Sequence, residues 1–562
     1  MVQLATAKAV IDPFALRLWG LSGDQGSADL PGYGIDLVDV FSDDKHAALF
    51  VLFEKLAQSV HLGRVLGGQA DRLHDYSVKA QWKNQNVVHY QNSQYGNICT
   101  LENEGQYIFF QDGIPDIITP VPHFAFIEEF VHLTLLAHPD PAKLLILGRG
   151  AGGIIKETFK HPSIETIEYA ELDPLFLDLL RKFPTPLTES ELNDSRVTIT
   201  NIDGLLFLKT TRNKYDMIFI GIMEPSNLQA NRFFTKEFFS LVKKRLNKGG
   251  ILVLGLPGSL MYVNEELKNL NSCIFQTLKR VFSYIRVIPG DGKNNFLSSD
   301  SQDISTIDRK QIIERLYLRN IRANVIVPWH LEKKLHHGWR DLFSRCLEGG
   351  SQKINSDFTP LGVFYSISHW NAVFAPSIRG IFSQFERINL RSVVLLFVIL
   401  LVLYFFFRPK NRQFFQGGIT LSIITTGFAG MMFDLMIIFT FQSIYGYVFS
   451  WIGILVASFM AGAACGAMLV VIVMDRIKDP FKFFTRIELA IMCFSIGCLL
   501  IVFIPNAKLG SPNAFFLFRS LFLFISFISG LLIGSQFPLA NKLYLRNSTS
   551  LSKTAGLLYA SD

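Results

Sequence analysis

Four apolar runs near the C-terminus limit what this chain can fold into more than anything before them. Gly417–Phe441, Tyr447–Met474, Ile487–Pro505 and Phe515–Asn541 are each long enough to cross roughly 30 Å of hydrocarbon as a helix. In lipid a segment must satisfy its own backbone N–H and C=O groups, so such runs fold as helices. A shorter run, Ser392–Phe407, precedes them and brings the expectation to about five spans over residues 391–562. Residues 1–390 carry charges at regular intervals and read as a globular chain. The expected molecule is an integral, multi-pass membrane protein, with lipid as a partner, that carries a separate folded domain. The chain stops at GLLYASD (556–562), shortly into another apolar stretch, as expected of a partial membrane domain.

The globular part falls into four stretches. Residues 1–80 suggest no function; Ala47–Leu62 has amphipathic spacing, and Gly63, Gly67 and Gly68 would end that helix. Residues 81–122 read as a small antiparallel β unit of QNVVHYQ, NICTLEN and QYIFFQDG, separated by turn residues such as Asp112-Gly113. HFAFIEEFVHLTLLA (123–137) switches to helical spacing, and from Lys143 to about residue 300 strand and helix patterns alternate. Such alternation implies a parallel sheet with helices on both faces, hence an α/β domain over 123–300. Residues 301–390 form a mixed connector. Within it LGVFYSISHWNAVFAP (361–376) is apolar yet contains Ser, His and Asn, which suits an interfacial or re-entrant helix or a buried soluble one.

Charge and cysteine content exclude other classes. The net charge of +7 is modest for 562 residues, and much of the basic excess lies in short loops between apolar runs. That pattern speaks for membrane topology and against nucleic acid as a partner. The six cysteines are scattered without a C-x-x-C pair, so neither a disulfide framework nor a metal centre is expected. His123, His132, His138 and His161 lack metal-ligand spacing. The N-terminus lacks the basic start and apolar core of a signal peptide. Basic residues follow the first run (Arg408, Lys410, Arg412), the third (Arg476, Lys478, Lys482, Arg486) and the fifth (Lys542, Arg546, Lys553), whereas the intervening loops carry only Lys508. By the positive-inside rule those loops are cytoplasmic and the α/β domain would face the other side, unless 361–385 adds a crossing or the short first run does not cross. The supply of its expected ligand favours a cytoplasmic domain. Asp434, inside the second run, is either a polar helix–helix contact or part of a transport path. The small residues of AGAACGAM (461–468) favour tight helix packing, and Gln536 with Pro538 could mark a broken helix.

The chemistry-bearing motif is LLILGRGAGG (144–153). A buried strand runs into Gly148, Gly150 and Gly152 and opens a helix, which aims backbone N–H groups at a ligand. Glu171 and Asp173 end the next strand, where an acid can bind both ribose hydroxyls, and Asp203-Gly204 follows the third, where an acid can meet an adenine amino group. Three sites at consecutive strand ends make a nucleoside pocket.

From about Gln85 to Ser299 the chain resembles the spermidine synthase (polyamine aminopropyltransferase) family, membrane-fused type. The resemblance rests on YGN at 95–97, Asp112-Gly113, HPDPAKLLILG at 138–148, Gly152-Gly153, KHPSIETIEYAELD at 160–173, Asp203-Gly204, YDMIFI at 215–220 and KGGILV at 248–253, in that order. It implies a small N-terminal β unit followed by a methyltransferase-like Rossmann domain. It also implies an S-adenosyl donor, either S-adenosylmethionine or its decarboxylated form, with Glu171 on the ribose, Asp203 and Gly204 around the adenine, and Gln85 near the nucleoside. The implied acceptor is a small molecule, an amine in the family at large.

The sequence departs from the family where the amine would sit. The glycine-loop aspartate that holds the donor's amine is Ala151, and the aspartate that takes the attacking amine's proton is Gly221. A second aspartate three residues on is Glu224, a tyrosine–glutamine pair matches Phe126 and Ile127, and VIPGDGKNNFLSS (287–299) lacks the late tyrosine. A cationic amine needs carboxylates and a base, and Glu224 alone remains as candidate catalytic residue. Arg149 carries the opposite charge. It could pair with the α-carboxylate that only intact S-adenosylmethionine has, or it could point to solvent or pair with a neighbouring acid. Three functions stay open: alkyl transfer of the aminopropyl type with a degenerate amine site, methyl transfer from S-adenosylmethionine, or non-catalytic nucleoside binding that regulates a membrane transporter.

Overall fold

The computed structural model describes residues 74, 76–222, 224–261, 263–385, 413–445, 449–502 and 512–545, with scattered positions over 391–406. The expected helix at Ala47–Leu62, the basic residues Arg408, Lys410, Arg412, Lys508, Arg546 and Lys553, and the terminal GLLYASD lie outside the described residues, and Ser392–Phe407 lies only partly within them. The chain divides into two compact units, one ending at Ile118 and the other comprising Ser93–Gly96 and everything from Thr119 onward.

The first unit is a meander of β1 (Val87–Asn92), β2 (Asn97–Asn103), β3 (Gln106–Gln111) and β4 (Ile114–Thr119), paired in that order. Glu104-Gly105 and Asp112-Gly113 make the last two reversals, with φ of 51° and 79° in each pair. Two successive left-handed residues match the twist of the flanking strands. The fourth strand was not among the three read from the sequence. Pro115 obscures its pattern, and a proline is tolerated there because β4 is an edge strand.

In the second unit α1 (Phe124–Leu135) leads into alternating elements: β5 (Lys143–Leu147), α2 (Ile154–Thr158), β6 (Thr166–Glu171), α3 (Pro174–Lys182), α4 (Pro186–Leu192), β7 (Val197–Asn201), α5 (Gly204–Thr210) and β8 (Tyr215–Ile220). Then follow α6 (Lys236–Arg245), β9 (Leu246–Gly258), α7 (Glu265–Lys279), β10 (Tyr284–Ile288) and β11 (Gly292–Ser299). The seven strands lie in the order β10-β11-β9-β8-β5-β6-β7, parallel from β9 through β7, with β11 antiparallel to both its neighbours. This is the methyltransferase-like Rossmann topology. Leu145, Leu147, Ile218, Ile220, Leu252 and Leu254 are fully buried, as runs covered by helices on both faces should be. The sheet differs from the sequence reading at one place: Asn247 and Gly249-Gly250 do not separate helix from strand but already belong to β9. Gly249, at φ of 80°, accommodates the register shift between Tyr215↔Leu246 and Met217↔Ile251.

The connector packs as helices: α8 (Arg309–Leu318), α9 (Pro328–Lys334), α10 (His337–Glu348), α11 (Leu361–Phe374) and α12 (Arg379–Phe385). Tyr365 of α11 joins the same apolar cluster as Leu254 and Leu256 of β9, so the polar residues of 361–376 serve a buried helix on the α/β core. Two of the histidines anchor this layer. Arg319 Nη1 lies 3.2 Å from His161 Nδ1, His161 Nε2 lies 2.9 Å from His132 Nδ1, and His132 Nε2 lies 3.0 Å from Glu157. Arginine only donates, so His161 Nδ1 must accept. Its proton then sits on Nε2 and is donated to His132, whose own proton goes to the Glu157 carboxylate. Both rings are fully buried. Burial, then His132 and Arg319, push His161 down to about 2.

Four further helices follow: α13 (Gln413–Tyr445), α14 (Phe449–Val473), α15 (Pro480–Val502) and α16 (Pro512–Leu545). Among the described residues three helices are long and apolar enough to cross a membrane, over Gly418–Gln442, Trp451–Arg476 and Arg519–Leu543. The run expected at Ile487–Pro505 extends beyond the described residues. The small residues of α14 meet those of α16 backbone to backbone. A Cβ on Gly462 would lie 2.0 Å from the Phe527 carbonyl, and one on Gly530 would lie 2.0 Å from the Phe459 carbonyl. Ser458 and Ser526 each donate across the same seam, to Leu523 O at 3.0 Å and Leu455 O at 2.9 Å. Asp434 is half-buried on α13, and its Oδ1 has no hydrogen-bond partner among the described residues. Gln536 donates to Glu488 of α15 and remains inside a continuous α16.

Two outcomes follow from this packing. His161 is neutral in the fold and has an ordinary pKa when unfolded, so the unfolded chain binds more protons below about pH 6.5. Stability is therefore full above that pH and falls toward pH 2; H161Q should melt lower at pH 7.5 and flatten the fall in Tm between pH 6.5 and 5. Gly530→Leu cannot be accommodated on the α14–α16 seam, and in detergent it should destabilise the helical part by about 2 kcal/mol or more, read as a shifted unfolding midpoint against the neutral control L521I.

Candidate functional site

Strands β5 and β8 lie side by side at the centre of the sheet, and the helices that follow them leave on opposite sides. That is the crevice where open parallel sheets bind ligands. The loop after β5 turns sharply, with φ of 72° at Gly148, 53° at Arg149, 88° at Gly152 and 121° at Gly153. Arg149 is thus a non-glycine residue in the left-handed region, a strained geometry that costs about 1–2 kcal/mol and is tolerated where function or packing demands it. The Gly148 carbonyl rests on the Cα of Gly221, at the end of β8, so closely that a Cβ there would lie 1.9 Å from it. The position where the family has its base is closed by backbone.

Each acid at a strand end is tied to its surroundings. Glu171, at the end of β6, accepts from Arg149 N at 3.1 Å, from the Tyr169 hydroxyl at 2.6 Å and from Leu172 N at 2.9 Å. Asp173 caps α3 through Leu175 N at 3.0 Å. Asp203 caps α5 through Leu206 N at 3.1 Å, and its other oxygen holds Arg232 Nη2 at 2.7 Å. Arg232 is 3% exposed, and its Nε and Nη1 are buried without a hydrogen-bond partner among the described residues. Gly204 abuts the Phe233 ring, which a Cβ would approach to 3.0 Å. Tyr95, of the YGN motif, belongs to this unit: burial, then Asp173 and Asp203, push its phenol up, and Arg519 opposes them. Gln85 lies in the other unit, exposed in the turn before β1.

The far side of the glycine loop already has an internal anion. Glu191, on α4, is 1% exposed and accepts from Gly152 N at 2.7 Å, Gly153 N at 2.8 Å and Lys156 N at 3.0 Å. Its carboxylate thus occupies amides that the sequence pattern offered to a ligand, and the Gly148 and Arg149 amides are bonded too, to Ala170 O at 2.9 Å and to Glu171 at 3.1 Å. Burial pushes Glu191 up to about 7 against these three bonds. Ala151 is buried, and Ile127 packs on Gly153, where a Cβ would lie 2.8 Å from its Cδ1.

Glu224 follows β8. Both its oxygens receive Trp370 Nε1 of α11, at 3.1 and 3.2 Å. Burial raises its pKa; the Trp370 bond and the positive charges of Lys293 and Arg149 pull the other way. Lys293 Nζ also sits 3.5 Å from the centroid of the Phe126 ring, a cation–π contact. Where the family gathers carboxylates around an amine, this chain gathers one half-buried glutamate, two cations and an indole.

Sequence reasoning did not find Trp370, Lys293, Glu191 or Arg232. Arg232 had a signal, a lone charge just ahead of the apolar FF of NRFFTKEFF. The others are ordinary by type and spacing, and only the fold brings them here. Among the described residues no group of three or more His, Cys, Asp or Glu is placed to hold a metal.

Comparison with known proteins gives a consistent picture. The spermine/spermidine synthase domain family matches residues 123–309. A polyamine aminopropyltransferase of Lachnospira eligens is 33% identical over 202 residues, 35% of this chain and 66% of its own length. One from Agathobacter rectalis is 31% identical over 197 residues, 35% of this chain and 64% of its own. The chain thus spans just under two thirds of these curated relatives. Among solved structures, spermidine synthase from Thermotoga maritima aligns over 47% of this chain and 88% of its own, at 22% identity and a TM-score of 0.39.

The Gly148–Gly221 contact yields a direct test. Gly221→Ala forces the β5 and β8 loops apart and should destabilise the α/β unit by about 2–3 kcal/mol, whereas Gly105→Ala, with open space around its Cβ and only its left-handed φ to strain it, should cost about 1 kcal/mol. Urea titration of near-UV circular dichroism reads the difference.

Proposed function

We propose that this chain, spermidine synthase-like across residues 123–309, is a membrane-associated transferase that binds an S-adenosyl donor and moves an alkyl group of the aminopropyl type to a small acceptor. Glu171 would hold the ribose, and Asp203 with Gly204 would frame the adenine. The unmet donors of Arg232 beside Asp203 favour a ligand that brings acceptors to that end of the crevice. The α/β domain would lie on the cytoplasmic side, where such donors are supplied, with the apolar helices in the membrane.

The observation that carries the reading is the setting of Glu224. In the transfer an acceptor lone pair forms a bond to the methylene carbon next to the donor's sulfonium, the C–S bond breaks, and its electron pair leaves on a neutral thioether. The acceptor must lose a proton to a base. Glu224 is aimed by Trp370 and raised by burial toward the pH at which a carboxylate transfers protons efficiently, while Lys293 and Arg149 favour its ionised form. Two acidic groups of the family's amine site are absent, so putrescine itself is a poor fit as acceptor.

A second reading rests on the closed position at Gly221: a nucleoside-binding module without turnover that regulates the membrane part. A third, methyl transfer from intact S-adenosylmethionine, rests on Arg149 at the mouth of the loop. Full-length protein assayed with both donors and a panel of amines separates them. We expect turnover that Glu224→Gln lowers by about 10²–10⁴-fold with donor Kd changed less than about twofold. Binding without turnover by wild type would favour the module, and tighter binding of the decarboxylated donor would remove the role of Arg149 in carboxylate recognition.

A further inference from the structure

A cavity of about 330 Å³ opens between the end of β10, the start of α8 and the loop joining α9 to α10. It shares no residue with the crevice at the ends of β5 and β8. Its size falls in the range of small-ligand sites. Its wall is strongly one-signed: Arg286, Arg309, Lys310, Lys334 and Arg340 line it, against the single carboxylate of Asp308. That carboxylate is engaged, since Asp308 Oδ1 accepts from Gln311 N at 2.8 Å as the cap of α8.

The cations are unequally compensated. Lys334 is paired with Glu129 at 2.7 Å, and Arg340 lies 3.8 Å from Asp341 in solvent. Arg286 Nη1 donates to the Ile307 and Ile304 carbonyls. Arg309 and Lys310 have no ion-pair partner among the described residues. Burial first, then the charge of Arg340, push Arg286 down to about 10, against the opposing charge of Asp308. Two helices of ordinary length, α8 and α10, also begin on this wall, at Asp308-Arg309 and His336-His337, and add the positive ends of their dipoles. Ser305 and Thr306 also line it, the Thr306 hydroxyl donating to the Gln302 and Asp303 carbonyls. A concave, multiply cationic wall with little internal compensation is stabilised by a ligand of high negative charge density and several acceptor oxygens.

We infer that this cavity binds a phosphate group carried by a small molecule or by a lipid headgroup, at a site distinct from that for the nucleoside. Arg309 and Arg340 supply forked donors from the rim, and Arg286 supplies the fixed charge at the base. Binding here does not depend on the transferase reading, and the test keeps the two apart.

The test uses the full chain in nanodiscs of neutral phosphatidylcholine, titrated with inorganic pyrophosphate by calorimetry at low and moderate salt. Binding should weaken with salt, and the double variant R309Q/R340Q, changed only at exposed side chains, should lose at least about tenfold in affinity. Its affinity for an S-adenosyl donor should stay unchanged, which separates failure of this site from failure of the nucleoside site. A third arm replaces part of the lipid by phosphatidylglycerol. Weakened pyrophosphate binding there supports the site and identifies the headgroup as its source of phosphate; unchanged binding supports it with a soluble ester as the source. Absence of pyrophosphate binding at millimolar concentration in neutral nanodiscs, or equal binding by R309Q/R340Q, overturns the inference.

Discussion

The carbonyl of Gly148 lies against the α-carbon of Gly221, and the rest of the crevice depends on that contact. Parallel pairing of β5 with β8 brings the two strand ends together, and only a residue without a side chain lets the loop after β5 fold back over β8. The loop is then short enough for its Arg149 amide to reach Glu171 on the next strand. The same contact removes the space for a side chain at that position. Glu224, three residues on, is held by Trp370, a residue from outside the α/β core.

Helix α11 therefore has a double role. Its Tyr365 side packs on the sheet's apolar cluster, and its Trp370 side reaches Glu224. Desolvation raises the pKa of Glu224, and the Trp370 bond and the charges of Lys293 and Arg149 oppose that rise. The crevice thus keeps the acids expected to meet a nucleoside and replaces the acids expected to meet an amine with a mixed-charge pocket. Glu191 fixes the loop from behind through the Gly152, Gly153 and Lys156 amides.

The membrane-type helices obey a different economy. Between α14 and α16 the backbones touch, and the contact is made of glycines and serines because apolar side chains gain little from each other in lipid. Polar residues there, such as Gln536 with Glu488, find each other across helices. The α/β unit instead draws its stability from the large buried residues of β5, β8 and β9, covered by helices on both faces.

Much of this was legible in the sequence. Alternating strand and helix patterns determined a parallel sheet, and the apolar runs determined membrane-type helices. Glycines at 148–153 followed by acids at 171 and 203 marked the strand ends of the candidate site, and the fold brings them to one edge of the parallel sheet. These are local signals, because period, turn chemistry and composition are properties of neighbouring residues. The sequence also showed that the usual amine-binding acids are missing. It did not show what replaced them: Glu191 behind the loop, Lys293 over Phe126, Arg232 on Asp203 and Trp370 on Glu224 join positions 29 to 167 residues apart. Only tertiary packing decided those pairings, since burial and charge compensation act between side chains that the chain brings together after the sheet has formed.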